Sequence, residues 1–291
     1  MTGSPASQPA NHRLSPALDP AAVTVADPAV VGRLRAAGCV FAEEEAMLLA
    51  AAAGSTGQLE TLVDRRVSGL PLEHILGWAE FCGLRIDVDA GVFIPRRRTE
   101  FLVRQGVLLL QASRQPFQLS DGAGLPAVVD LCCGSGAVGT ALAALAWPLE
   151  LHAADVDPAA VSCARRNILP LGGEVHEGDL YGPLPSGLRG RVDLLAVNAP
   201  YVPTAGIRTM PQEARLHEPR VSLDGGADGL DVQRRVAAAA RQWLGPGGHL
   251  LIETSRRQAP QTVDLFLRNG LTARVASSEE LDATVVIGGL V

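Results

Sequence analysis

The spacing of apolar residues changes character along the chain, and the change divides it. Residues 1–22, rich in Pro, Ser and Ala, show no period and read as a flexible tail. Between 23 and 78 the spacing turns helical. AEEEAMLLAAAA places three acids in a first turn, where they suit the helix dipole, ahead of an apolar stripe. LETLVDRRV repeats the pattern at i, i+3 and i+7, with Leu59, Leu62 and Arg66 marking opposite faces; Gly69 and Pro71 then punctuate the chain. A small helical domain is expected here. Residues 79–95 alternate apolar and polar around Leu84, Ile86 and Val88, which predicts a hairpin linking two domains.

From 96 to 291 the period switches repeatedly. RRRTEFLVRQGVLLL opens a helix and QASRQPFQLSDGAGLP is a polar loop. Then come the strand AVVDL, a helix over 137–147, the strand LHAADV, a helix over 158–168, GEVHEGD and VDLLAVN. A long helix at about 229–244, GGHLLIET, another helix, LTARVAS and ATVVIGG complete the series. Strands alternating with helices predict an α/β fold, a mostly parallel sheet covered on both faces.

Composition narrows the function. Hydrophobic residues make up 47% of the 291, yet no run reaches the ~20 apolar residues a membrane span needs. The first twenty residues lack a basic stretch followed by an apolar core, so no secretory signal is expected. The five cysteines form no CxxC pair, and adjacent Cys132 and Cys133 suit neither a disulfide nor a zinc site, which fits a reduced cytoplasm and no metal. All 25 basic residues are Arg, and the net charge is −6. An acidic chain without basic blocks lacks the electrostatic footprint of a duplex-DNA binder.

Two stretches carry candidate chemistry. The first predicted strand of the large domain runs into Asp130-Leu-Cys132-Cys133-Gly134-Ser135-Gly136, and Gly134, Gly136 and Gly139 spell G-x-G-x-x-G. Glycines let backbone approach a ligand, and Asp155, at the end of the next strand, is placed to accept hydrogen bonds from ribose hydroxyls. An acid directly before the loop, Asp130, suits a ligand carrying an ammonium group and would repel a pyrophosphate. S-adenosylmethionine is therefore favoured over NAD. Asp179 and Leu180, after the third strand, are candidates for the adenine edge and face. The cysteines in the loop read as small packing residues.

The second stretch is Asn198-Ala199-Pro200-Tyr201, after VDLLAV. A planar NH2 group that must accept a methyl group has a delocalised lone pair and is a poor nucleophile. The Asn198 side-chain oxygen and the Ala199 carbonyl would each take one N–H, Pro200 would hold Ala199 extended, and Tyr201 would stack on the flat group. An ordinary Asn–Pro turn would give the same letters.

Seven stretches in order, PLEHILGWAEFCGL, VFIPRRRTE, DLCCGSGAVG, AADVDP, NAPYVP, EPRVSLDGGADGLD and PGGHLLIE, resemble the HemK/PrmC family of protein-(glutamine-N5) methyltransferases over roughly residues 25–291. The resemblance implies a helical N-terminal domain, a hairpin linker and a seven-stranded, Rossmann-like methyltransferase domain whose last strand is antiparallel. It implies S-adenosylmethionine as methyl donor and, as acceptor, the glutamine of the GGQ loop in peptide-chain release factors. By position it assigns Cys132–Gly136, Asp155, Leu180 and Asn198 to the cofactor, Asn198 through Tyr201 to the substrate amide, and Phe93 and Arg96 to the rim beside the active site. Glu218, Asp224 and Gly225 would shape the same rim.

The chain departs from the family at three places. Ala199 replaces the first Pro of N-P-P-Y, Cys132 stands where Gly is usual, and Arg97 and Arg98 interrupt P-R-P-E-T-E. An N6-adenine-type nucleic-acid methyltransferase, which also acts on a planar NH2, is the second reading. A non-catalytic cofactor-binding paralogue is the third.

Overall fold

The computed structural model describes residues 26–113, 124–146 and 148–290. The expected tail and most of the loop before the large domain lie outside these residues.

Four helices come first: α1 (Pro28–Ala36), α2 (Ala42–Ala52), α3 (Thr56–Val67) and α4 (Leu72–Leu76). Local chemistry sets their ends. Asp27 caps α1 by accepting the Ala29 N–H at 2.8 Å, with Pro28 in the first turn. Ser55 caps α3 through the Gln58 N–H at 3.2 Å, and Gly77, in the left-handed region, closes α4. Leu34, Leu49, Leu62, Val63 and Ile75 form the core between them. Arg66 corrects one expectation. It does not mark a face opposite the leucines, because positions at i, i+3 and i+7 share a face. Its guanidinium turns inward to Glu45 at 2.6 Å, and the pair is only about a tenth exposed on each side.

The hairpin is β1 (Trp78–Phe81) with β2 (Leu84–Asp87), antiparallel and turning at Cys82 and Gly83, both at positive φ. Two such residues match the twist of the flanking strands. Regular pairing ends at Asp87, short of the expected end at 95; the rest runs without strand partners toward α5 (Glu100–Ser113). Phe81, Leu84 and Ile86 bury into the core of the large domain.

That domain contains β3 (Ala127–Leu131), α6 (Ala137–Ala146), β4 (Glu150–Asp155), α7 (Pro158–Ile168), β5 (Glu174–Glu177) and β6 (Val192–Val197). Then follow α8 (Gln212–His217), α9 (Asp231–Trp243), β7 (Leu244–Glu253), α10 (Ala259–Arg268), β8 (Arg274–Ser278) and β9 (Ala283–Gly289). The sheet order is β5-β4-β3-β6-β7-β9-β8, with β9 antiparallel to both neighbours and β3 through β7 paired parallel. This is the α/β, Rossmann-like seven-stranded sheet expected, antiparallel last strand included. Every residue of β3 is buried, which is why it reads as an unbroken apolar run around Asp130. The strand order reverses between β3 and β6, so the carboxyl ends of β3, β4 and β6 open on one crevice. Among the described residues no helix is long and apolar enough to cross a membrane.

Candidate active site

A cavity of 690 Å³ occupies that crevice, within the ~300–1,000 Å³ usual for small-molecule sites. Its floor is the loop after β3. Cys132 and Gly134 both sit in the left-handed region, at φ 56° and 54°. For a non-glycine residue this conformation costs about 1–3 kcal/mol, so glycine is the easier residue at 132. A Cβ on Gly134 would meet nothing nearer than Phe93 at 4.0 Å, so backbone faces open cavity there. Gly136 and Gly139 serve packing instead: a Cβ at 136 would lie 2.8 Å from Ile168, and one at 139 would lie 3.2 Å from Asp130.

The carboxylates of this half divide their work. Asp130 lines the cavity but is 1% exposed, and its Oδ2 accepts the Gly139 N–H at 2.8 Å. Burial pushes its carboxyl up to about 7, against the pull of Gly139. This oxygen braces the start of α6. Asp155 holds the loop: Oδ2 accepts from Gly134 N at 2.9 Å and Oδ1 from Asp157 N at 3.0 Å. Each oxygen keeps a lone pair for ribose hydroxyls. Asp179 lies two residues past the end of β5, exposed and paired with Arg235. Leu180, at φ 49°, packs against the core beside Cys132. Ser135 is buried, and burial pushes the Cys132 and Cys133 thiols well up, which leaves no thiolate nucleophile.

The far wall is Asn198 to Tyr201, just after β6. Asn198 Nδ2 donates to Thr99 Oγ1 at 3.3 Å, so its Oδ1 is left to meet an incoming N–H. Ala199 is buried, and Tyr201 donates its hydroxyl to Glu253 Oε1 at 3.1 Å. The Tyr201 ring, with its hydroxyl turned inward, lines the cavity. Gln258 Nε2 holds the Tyr201 carbonyl at 3.0 Å, and Val202 pairs with the 223–225 segment. Gly225 approaches Pro200 so closely that a Cβ would lie 2.6 Å from its carbonyl oxygen. The EPR…LDGG stretch therefore backs this wall.

Phe93 and Arg96 both line the cavity, with the guanidinium 5.2 Å from the ring centroid. Arg96 is also ion-paired with Glu218, whose side chain is fully buried and whose Oε2 has no hydrogen-bond partner. Arg96 thus fastens the 204–223 segment, which roofs the cavity with Met210, Pro211, Val221 and Leu223. Arg97 is exposed, while Arg98 lines the cavity with its Nε 3.9 Å from Glu253. From the helical domain, Arg66 reaches Glu213 of the roof at 2.5 Å, and His74 Nε2 meets the Val92 carbonyl at 2.9 Å.

Three residues escaped the sequence reading: Thr99, Glu253, and Glu218 as an anchor. Glu253 ends β7, is 2% exposed, and has its carboxyl pushed up by burial against the pull of Thr99, Arg98 and Tyr201. The one available signal was an acid closing an apolar run, LLIE, at the sheet edge where the other site residues lie.

Known proteins resemble this chain over about three quarters of its length. The family model described as methyltransferase small domain matches residues 121–215. A release factor glutamine methyltransferase of Geobacter sulfurreducens is 36% identical over 230 residues, which span 78% of this chain and 76% of that protein. One of Streptomyces coelicolor is 34% identical, spanning 76% and 75%. A 4-amino-L-phenylalanine/4-methylamino-L-phenylalanine methyltransferase of Streptomyces pristinaespiralis is 35% identical, spanning 74% and 71%. The open glycine loop and the cavity-lining carboxylate of Asp155 fit a nucleoside methyl donor, and with these relatives they make the chain an S-adenosylmethionine-dependent enzyme of the release factor glutamine methyltransferase family.

Proposed function

We propose that the enzyme methylates the side-chain amide nitrogen of a protein glutamine, that of the GGQ loop of a peptide-chain release factor, in the cytoplasm. The carrying observation is Asn198: with Nδ2 on Thr99, its Oδ1 is an acceptor held at the cavity end of β6. The 132–136 loop, Asp155 and Leu180 would hold S-adenosylmethionine, which would supply an electrophilic methyl group. The protein's own residues do the rest. Asn198 Oδ1 and the Ala199 carbonyl each take one N–H of the acceptor amide, which fixes the nitrogen and favours the pyramidal shape attack requires. Pro200 restricts Ala199 to extended backbone and so aims that carbonyl. The Tyr201 ring, its hydroxyl anchored on Glu253, stacks on the amide plane. No strong base is needed, because the amide sheds its proton as or after the new bond forms. Positioning of this kind can contribute ~7–11 kcal/mol.

A second reading is favoured by one observation. The Streptomyces pristinaespiralis relative, as similar as the others, is named for a small aromatic amine, and its planar NH2 suits the same clamp. Ala199 in place of Pro leaves room for that divergence.

The test is incubation with methyl-labelled S-adenosylmethionine and, separately, a release factor, RNA, DNA or 4-amino-L-phenylalanine. Label on the release factor is expected. Label only on the amino acid selects the second reading, and label only on nucleic acid overturns both.

A further inference from the structure

Away from the cavity, β4 and β5 bring three metal-ligating side chains together. His152 lies three residues before Asp155, about 10 Å along the strand. In the parallel register it pairs with Glu174, and Ala154 pairs with His176, so all three side chains share one face. His152 Nδ1 lies 3.0 Å from His176 Nε2, and each of these nitrogens is 3.9 Å from Glu174 Oε2. A triangle of 3.0, 3.9 and 3.9 Å has a centre about 2.1 Å from every corner, the length of a zinc–nitrogen or zinc–carboxylate bond.

The surroundings prepare His152 for the role. It is 4% exposed, and its Nε2 lies 3.1 Å from Glu150 Oε1. Glu150 is fixed by two 2.8 Å bonds from Arg191, which leaves it an acceptor. The His152 proton therefore sits on Nε2, and Nδ1 presents a lone pair toward His176 and Glu174. A carboxylate behind a histidine is the usual support of a metal-bound imidazole. His176 would carry its proton on Nδ1 when ligating.

We propose that His152, Glu174 and His176 form a three-ligand Zn2+ site that clamps edge strand β5 to β4. The site is separate from the methyl-transfer cavity, yet β5 leads directly into the turn carrying Asp179 and Leu180. Sequence spacing gave no hint of it, because the two histidines lie on different strands.

The test uses the full, reduced protein after dialysis against a chelator. Titrated with Zn2+ against a chromophoric indicator, it should take up one equivalent. Co2+ in its place should give visible d–d bands without a thiolate charge-transfer band. Glu174→Gln, at an exposed position, and His176→Gln should abolish this uptake, and Glu150→Gln should weaken it by ~10–100-fold. Zn2+ should raise the melting temperature of the parent and not of Glu174→Gln. No uptake by the parent, uptake unchanged in Glu174→Gln and His176→Gln, or a thiolate band would each overturn the proposal.

Discussion

The two halves of the cavity are built differently. The cofactor half is mostly local: the end of β3, its loop and the end of β4 lie within twenty-six residues, from Asp130 to Asp155, with Leu180 added from the turn after β5, and the loop is fastened by Asp155 on Gly134 and Asp130 on Gly139. The acceptor half is assembled from across the chain. Asn198 rests on Thr99, Tyr201 on Glu253, Arg96 on Glu218 and Glu213 on Arg66. A half made mostly of backbone and two acids serves a constant ligand. A half made of side chains on distant elements can be retuned one contact at a time, which suits a family whose members act on different NH2 groups.

The sharpest break in this comparison is expected from Asn198→Ala. Losing a well-placed acceptor of this kind costs ~2.7–4 kcal/mol in the barrier, about a hundredfold to a thousandfold in kcat. Calorimetry should find cofactor affinity little changed; equal losses in both would merge the two halves. Asp155→Ala should do the reverse. Removing an ionised acceptor costs ~1.5–3 kcal/mol, about 10–100-fold in cofactor Kd, with the acceptor KM largely kept.

An effect on stability, not on rate or affinity, sharpens the cofactor half. The folded pKa of Asp130, about 7, stands above its ordinary 3.8, so the contribution of Asp130 to stability is fully present below 3.8 and is lost as pH rises through about 7. The stability of the parent relative to Asp130→Asn, from denaturant unfolding at stepped pH, should therefore fall across that window. A difference that is flat with pH would mean the carboxyl is not buried as described. The smallest effect is expected at the roof. Glu213→Ala breaks an ion pair whose glutamate end is half-exposed, worth ~0.2–1 kcal/mol, which should raise the acceptor KM by no more than about fivefold and leave cofactor binding alone.

The same contrast explains what could be read from the sequence. The glycine loop, Asp155 and the alternation of strands and helices were legible because their meaning lies in neighbouring residues. Asn198 to Tyr201 was legible as a motif, and the structure supplied its supports. Glu253 and Thr99 were not, since nothing in LLIET or RRRTE tells which distant side chain each meets. Arg66 read as lying on the face opposite the leucines until Glu45 and Glu213 gave its charge a place inside. The brace that Asp130 gives the Gly139 amide was not legible either, because the letters of the loop do not show which backbone N–H turns toward it.

The acceptor half is the central claim, and tandem mass spectrometry of a release factor after incubation with the enzyme and S-adenosylmethionine tests it most directly. The account predicts one methyl group on the side-chain amide of the GGQ glutamine, absent when Asn198→Ala replaces the parent enzyme. An unmodified glutamine under conditions where the parent enzyme turns over another acceptor would contradict it.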